Sequence, residues 1–559
     1  MKKYCIILLL AGVALASCKR ESYLDLYPKD AISEPTYFKN ENDLKLYANR
    51  FYTLLPAFLN GTGDDNSDNT VPATRNTFLA GTYTIPVTGG GWTWTDIRAV
   101  NYFLQRYQKA DVAQDVKNKY AAEVRFFRAY LYWQKVKQFG DVPYYNTDFT
   151  DTSAAQLYAP KTSRKVVMDS VLSDLNFAVA NLPLPASIAA ADRGRLHTYA
   201  AQALKARICL WEGTFRRYQG LGDDVKFIRA AADASEAVIS SGLYDIYRPG
   251  NTNINYYNLF IQEDLSTNKE AILYKSYQKD ILMHNTTRTI GQNNNGFSKN
   301  FVRSYLMKDG SPASLSALYR GDDSLDAEVA NRDPRFPQTI ATRGFTFLVN
   351  PDGSRDTISL PRIGTATTNT GYQMAKFRSS DYAQFNANQS TLDMFIFRYA
   401  EVLLVYAEAK AELGEATQAV IDRSVKLLRD RVGMANMTIA GLRKDPQSDF
   451  PALPVLLDEI RRERRVELAL EGLRFDDLLR WKAGKQIENP ETILGMKLHP
   501  NVKAQYPAAQ VRNIVVDANN YIRIYTNLTA RTWNDRMYYY PLPSQDLTLN
   551  KNLGQNAGW

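Results

Sequence analysis

The hydrophobic pattern reads mostly as helix. Apolar residues recur at three- and four-residue spacing over residues 119–139, 198–212 and 394–413. Each run stops at a glycine (Gly140, Gly213 and Gly414), the residue that most readily takes the left-handed conformation closing a helix. Each is followed by a second amphipathic stretch, at 166–181, 225–241 and 416–432. Only Gly414 and Glu415 separate the last pair, which predicts a helix–turn–helix unit of near-tetratricopeptide length. Small residues (Ala200, Ala203, Ala206; Ala400, Ala407, Ala411) mark where such helices touch. One unit cannot bury its apolar face alone, so several must stack. Their spacing is irregular, however, so a plain repeat array is not expected.

Polar insertions separate the helices. Residues 60–91 are rich in Gly, Thr, Asp and Asn, and 249–300 hold the run Gly291 to Gly296. Residues 344–360 predict a β-hairpin around Asn350 to Gly353, and 514–525 a second around 517–520. The expected fold is mainly α: helical hairpins separated by long loops, with small β-hairpins. Long loops on a helical scaffold are where binding resides. No Pro- or Ser-rich linker divides the chain, so a single unit is expected.

Composition narrows the function classes. The 559 residues are 45% hydrophobic and 23% charged, which excludes a disordered tail and a polytopic membrane protein. His197, His284 and His499 are scattered, with no H-E-x-x-H, and read as structural. No P-loop, G-x-G-x-x-G or G-x-S-x-G motif occurs. Arg461 to Arg465 looks basic, but Glu459, Glu463, Glu467 and Glu471 interleave with it. This predicts a salt-bridged helical face, with Asp458 pairing Arg462, rather than a nucleic-acid footprint. Arg464, Glu467, Glu471 and Arg474 likewise read as a structural ion-pair network.

The three cysteines have separate explanations. Met1-Lys2-Lys3 is a basic start, followed by an apolar run to Ala16 too short to span a bilayer. Leu15-Ala16-Ser17-Cys18 has the form of a bacterial lipobox. Residues 1–17 are then a signal peptide, Cys5 leaves with it, and Cys18 becomes the lipidated first residue. Two or three acyl chains hold such a protein to a membrane. Cys209, inside a helix-like stretch, reads as a small core residue. Removing Lys2 and Lys3 takes the net charge from +9 to +7.

Further landmarks follow in order. They include Tyr23-Leu24-Asp25; Trp94-Thr95-Asp96-Ile97-Arg98; and Glu123-Val124-Arg125-Phe126-Phe127-Arg128 running on to Phe139-Gly140-Asp141-Val142-Pro143. Later come Arg398-Tyr399-Ala400-Glu401, the Arg464 to Trp481 block, and Tyr540-Pro541-Leu542-Pro543 before the final Gly558-Trp559. Together with the lipobox, these resemble the SusD/RagB family of surface lipoproteins of Bacteroidetes-type bacteria, across essentially the whole mature chain. The pattern departs at Ala557, where many members have Pro, and in the basic Lys19-Arg20 after Cys18.

The resemblance implies a single SusD-like unit over 18–559, with an N-terminal part to about 240 and a C-terminal part from about 260. It implies tetratricopeptide-like helical hairpins, about four, packed against a loop-rich half, and a role as a lid on a SusC-like TonB-dependent transporter in the outer membrane, facing the cell exterior. The cargo is a glycan or, in some members, a peptide. No catalysis, cofactor or nucleic-acid partner is implied. A glycan-degrading enzyme is the remaining alternative, since spacing alone cannot exclude two carboxyl groups meeting in space.

A sugar site needs an aromatic platform with carboxylate, amide or guanidinium partners. Trp92, beside Gly89-Gly90-Gly91, is the candidate platform. Trp94 is read as structural, stapling a helix that Thr95 caps. The resemblance implies a ligand site drawing on the loop before the tryptophan-bearing segment, which makes Asp65 and Arg75 the polar candidates; Tyr257 is a further aromatic one. The run Asp64 to Asn69 fails as an EF-hand calcium loop, since Asn69 stands at position 6 and Arg75 at position 12. No metal site is assigned.

Overall fold

The computed structural model describes residues 37–58, 63–149 and 153–559; the leader and Cys18 lie outside them. Nine main helices organise these residues: α1 (Glu41–Asn49), α2 (Thr95–Arg106), α3 (Gln114–Phe139), α4 (Arg164–Asn181), α5 (Thr198–Gln219), α6 (Asp224–Ser240), α7 (Tyr399–Glu412), α8 (Val455–Glu467) and α9 (Arg474–Arg480). The strands are few and short: β1 (Ala271–Lys275), β2 (Thr346–Val349), β3 (Arg355–Thr357), β4 (Met394–Arg398), β5 (Leu494–Lys497) and β6 (Tyr521–Arg523). They form three two-stranded antiparallel ladders, β1–β4, β2–β3 and β5–β6. The protein is mainly α, as the periodicity predicts.

The helices pack in chain order. α3 lies along α4, α4 on α5, α5 along α6, α6 on α7 and α7 on α8. This stack encloses the largest core, built from Phe103, Phe127, Trp133, Leu204, Phe215, Phe227 and Leu403 among others. A second core, around Phe297, Phe301, Tyr305, Phe336 and Tyr372, underlies the loop-rich half.

Gly140 and Gly414 follow their helices with φ of +76° and +74°, as expected. Gly213 does not end its helix. α5 continues to Gln219, and Gly220 (φ +71°) provides the left-handed cap. A Cβ on Gly213 would lie 2.6 Å from Ile228 Cγ1 and 2.8 Å from the Ile228 nitrogen. The glycine is there so that α6 can approach α5 closely. Gly213→Ala is expected to cost about 1–3 kcal/mol by overpacking, read as a lowered unfolding midpoint. An unchanged midpoint would show that the two helices are free to separate.

Three other expectations are corrected, and one hairpin gains a further partner. Residues 394–398 are strand, not helix: β4 pairs with β1, and its last residue, Arg398, leads directly into α7. The stretch 416–432 is two short helices, Gln418–Asp422 and Val425–Arg431, broken at Ser424. The Ser424 hydroxyl donates to the Val420 carbonyl at 2.6 Å, a side-chain bond that competes with helix continuation. Residues 514–525 do turn back as a hairpin around 517–520, with Val516 bridging Ile522 and the Arg523 N–H donating to the Val515 carbonyl at 2.9 Å, while β6 also pairs with β5. Thr95 is the first helical residue, with Trp94 in the capping position and no side-chain cap.

The histidines are wired into the backbone. His197 Nδ1 accepts from the Ala200 N–H at 3.1 Å, while Nε2 meets the Ile272 carbonyl at 2.9 Å. His284 repeats the arrangement with Thr286 and Leu392. Burial lowers both imidazoles to about 4, so each stays neutral with its proton on Nε2. His499 caps a short helix through the Asn501 N–H. Cys209 is buried and its thiol is pushed up to about 12 by burial. A maleimide or disulfide reagent is therefore expected to leave Cys209 unlabelled in the native protein and to label it after denaturation. Labelling at the native stage would contradict its core placement.

The charged residues of α8 form an interior network, not a solvated face. Glu467 is contacted by three arginines: Arg398 Nη1 at 2.8 Å, Arg335 Nη1 at 3.1 Å, and Arg431. Arg398 also holds Glu270 at 2.9 Å and Glu471 at 2.7 Å, and Lys376 joins at Glu471. Glu463 binds Arg335 and Arg429, and Asp477 binds Arg464 and Arg480. Asp458 does not pair with Arg462. It takes Lys444, and Arg462 takes Asp445 and Glu459. Burial would push the Glu467 carboxyl up, but the three guanidinium groups outweigh it and hold it well below the usual range.

Candidate binding hollow

The segment 64–76 begins as a turn held by its own side chains. The Asp64 carbonyl accepts from the Ser67 N–H and hydroxyl, and Asp64 Oδ2 accepts from Asn69 Nδ2 at 2.8 Å. The sequence alone leaves these acids as a turn-rich solvated loop; the fold buries most of them. Asp64 Oδ2 accepts from the Leu470 N–H at 2.7 Å, just past α8. Asp68 takes Arg474 in a two-pronged contact (2.7 and 2.8 Å) and Arg465 at 3.1 Å. Burial raises the Asp64 carboxyl to about 6. It would raise Asp68 too, but Arg465 and Arg474 hold that carboxyl far below the usual range. Of these carboxylates, Asp68 is turned to arginines and Asp64 to amide N–H groups. Among the described residues, no group of three His, Cys, Asp or Glu is placed to hold a metal.

The chain then runs beside 296–298, with Ser298 N–H donating to the Asn69 carbonyl and Val71 N–H to the Gly296 carbonyl, both at 2.9 Å. This placement opens a hollow of about 90 Å³ lined by Asp65, Pro72, Arg75, Asn76, Leu79, Tyr525 and Arg531, with Leu528, Ala530 and neighbouring backbone completing the wall. Asp65 Oδ1 accepts from Asn295 Nδ2 at 2.6 Å and from the Thr70 hydroxyl at 3.3 Å. The Tyr525 hydroxyl donates to the Pro72 carbonyl at 2.6 Å. Arg531 donates to the carbonyls of Ser67 (2.6 Å) and Thr70 (3.1 Å). Asp65 and Arg75, singled out in the sequence, therefore share one hollow. Tyr525 and Arg531 complete it from more than 450 residues away, and no local signal marks them.

The two aromatic candidates lie elsewhere. Trp92 is buried at 6% exposure, edge-to-face on Trp94 (5.2 Å) and Phe139 (4.9 Å). The glycines before it are tied to α3, with Lys135 Nζ donating to the Gly91 carbonyl and Gln138 Nε2 to that of Gly90. Trp94 is the more exposed of the pair. Both border a separate cleft of about 470 Å³ with Tyr145, Tyr158 and Asp546. Tyr257 donates its hydroxyl to the Arg378 carbonyl at 2.7 Å and packs edge-on to Phe345. Burial pushes it up to about 12, and it does not line the Asp65–Arg75 hollow.

Comparison with known proteins gives the family. A profile described as the SusD family matches residues 251–559, more than half of the chain. The chain belongs to the SusD family. A second profile, described as starch-binding and associating with the outer membrane, matches residues 90–210 of this SusD-family protein. It is 24% identical to SusD-like protein P2 of Formosa agariphila, over 100% of this chain and 99% of that one. It is also 24% identical to the starch-binding protein SusD of Bacteroides thetaiotaomicron, covering 83% and 77% of the two chains. A SusD-like carbohydrate-binding protein from Bacteroides fragilis has the same fold. That structure aligns at TM-score 0.72 and 23% identity over 93% of this chain and 100% of its own.

Proposed function

We propose that this SusD-family protein captures glycans at the Asp65–Arg75 hollow and delivers them to a SusC-like TonB-dependent transporter. It is anchored through a lipid on Cys18 to the outer membrane and faces the cell exterior. Its role is capture and hand-over, without catalysis. Family membership supports the reading, as do the names of the starch- and carbohydrate-binding relatives. The observation that carries it is the convergence of Asp65, Arg75 and Tyr525 on one hollow. That set supplies the carboxylate, guanidinium and aromatic groups that polyhydroxylated ligands require. The leader and lipobox support the anchor.

Affinity electrophoresis against a polysaccharide panel tests the site. Arg75→Ala is expected to weaken retention by at least about tenfold, with an unchanged unfolding midpoint. Unaltered retention would remove the hollow from the site. Co-purification of a TonB-dependent transporter with the native lipoprotein tests the partner, and its absence from membrane extracts would count against delivery.

A further inference from the structure

The charges around the hollow carry an inference about the ligand that rests on the reading of this site as the glycan site. Arg75 lines it, half-buried, with no ion pair or hydrogen bond to another described residue. Arg531 forms the opposite part of the wall and is buried, yet its two hydrogen bonds run to neutral carbonyl oxygens, with no carboxylate within ion-pair distance among the described residues. The buried acid that acts on it electrostatically, Asp68, is already shared by Arg465 and Arg474. The remaining acid of the hollow, Asp65, accepts hydrogen bonds from Asn295 and Thr70. Two arginines thus line one space with a single carboxylate, that of Asp65. Burial lowers the Arg531 pKa, as expected for a desolvated cation whose compensation is incomplete.

Size narrows the ligand further. A cavity of about 90 Å³ is far below the roughly 300–1,000 Å³ of sites that enclose a whole small molecule. It holds a substituent, not a sugar ring. We propose that the hollow is a subsite for an anionic substituent of the glycan, a uronate carboxylate or a sulfate ester, held by Arg75 with Arg531 behind it. Arginine suits this role because its planar fork meets carboxylate and sulfate oxygens two at a time. The sugar ring then lies at the mouth, beside the exposed Asn76 and Thr532.

Affinity electrophoresis on paired polysaccharides tests the proposal. One arm sets polygalacturonate and alginate beside their carboxyl-reduced twins; the other sets sulfated galactans beside their desulfated twins. Retention of an acidic member at least about tenfold above its neutral twin is expected, lost in Arg75→Gln, partly kept in Arg75→Lys, and weakened by added salt. The arm that responds names the substituent. If neutral twins bind equally well and Arg75→Gln weakens both alike, the site stands and the anionic class falls. If Arg75→Gln changes no retention, the site itself falls. If no acidic member exceeds its twin, the proposal is overturned.

Discussion

Glu467→Ala should be among the most damaging single substitutions in the chain. The carboxylate is completely buried and meets Arg398, Arg431 and Arg335. Removing it leaves three guanidinium groups in the interior with one fewer counter-charge. Breaking one buried pair by deleting a partner costs about 3–5 kcal/mol, because the remaining charge is left uncompensated. Arg398 retains Glu270 and Glu471, Arg335 retains Asp333 and Glu463, and Arg431 retains Glu270, which it shares with Arg398, so the loss is cushioned at each contact but two arginines then depend on Glu270. The expected result is still a loss of at least about 3 kcal/mol, seen as poor soluble yield or a markedly lower unfolding midpoint. Glu467→Gln keeps shape and one acceptor and should fall between. A midpoint equal to the parent's for Glu467→Ala would show that the network is dispensable.

Asp68→Ala is expected to damage stability and binding together. Asp68 is the only carboxylate on the 64–70 segment that grips α9, through Arg474, and it also engages Arg465 at the end of α8. Without it, two buried arginines lose a counter-charge, at about 3–5 kcal/mol. The segment also loses the anchor that sets Asp65 and Arg75 against Tyr525. Glycan retention should disappear along with the lowered midpoint. Arg75→Ala, by contrast, should lose retention at an unchanged midpoint. Asp68→Asn, which keeps hydrogen bonding without the charge, should regain part of both. Full retention in a destabilised Asp68→Ala protein would show that the hollow does not depend on this anchor.

Local chemistry made much of the fold legible. The i, i+3, i+4 pattern located α3, α4, α5, α6 and α7, because each buries one face against a neighbouring helix. Gly140 and Gly414 marked real ends because the chain there needs a positive φ. Gly213 looked the same in sequence but answers to another cause, the approach of Ile228 from α6. Nothing in the chain near residue 213 distinguishes the two. Residues 394–398 read as helix because Met-Phe-Ile-Phe is apolar throughout; pairing with Ala271–Lys275, a partner far off in sequence, makes them strand.

The site divides the same way. Asp65 and Arg75 were picked out because the family resemblance implies a ligand site that draws on the loop before the tryptophan-bearing segment. The tryptophan itself went inward, onto Phe139, once Lys135 and Gln138 tied down the glycines beside it.

The sequence by itself determined that this protein is mainly helical, that its histidines are structural and Cys209 is interior, and which loop carries Asp65 and Arg75. Those features depend on residue type and short-range spacing, which the chain displays directly. Only the tertiary structure decided that the α8 charges are buried, that Asp68 is claimed by Arg465 and Arg474, and that Tyr525 and Arg531 close the hollow. Those features depend on which distant segments meet. Ion pairing and cavity shape are set by that meeting, not by spacing along the chain.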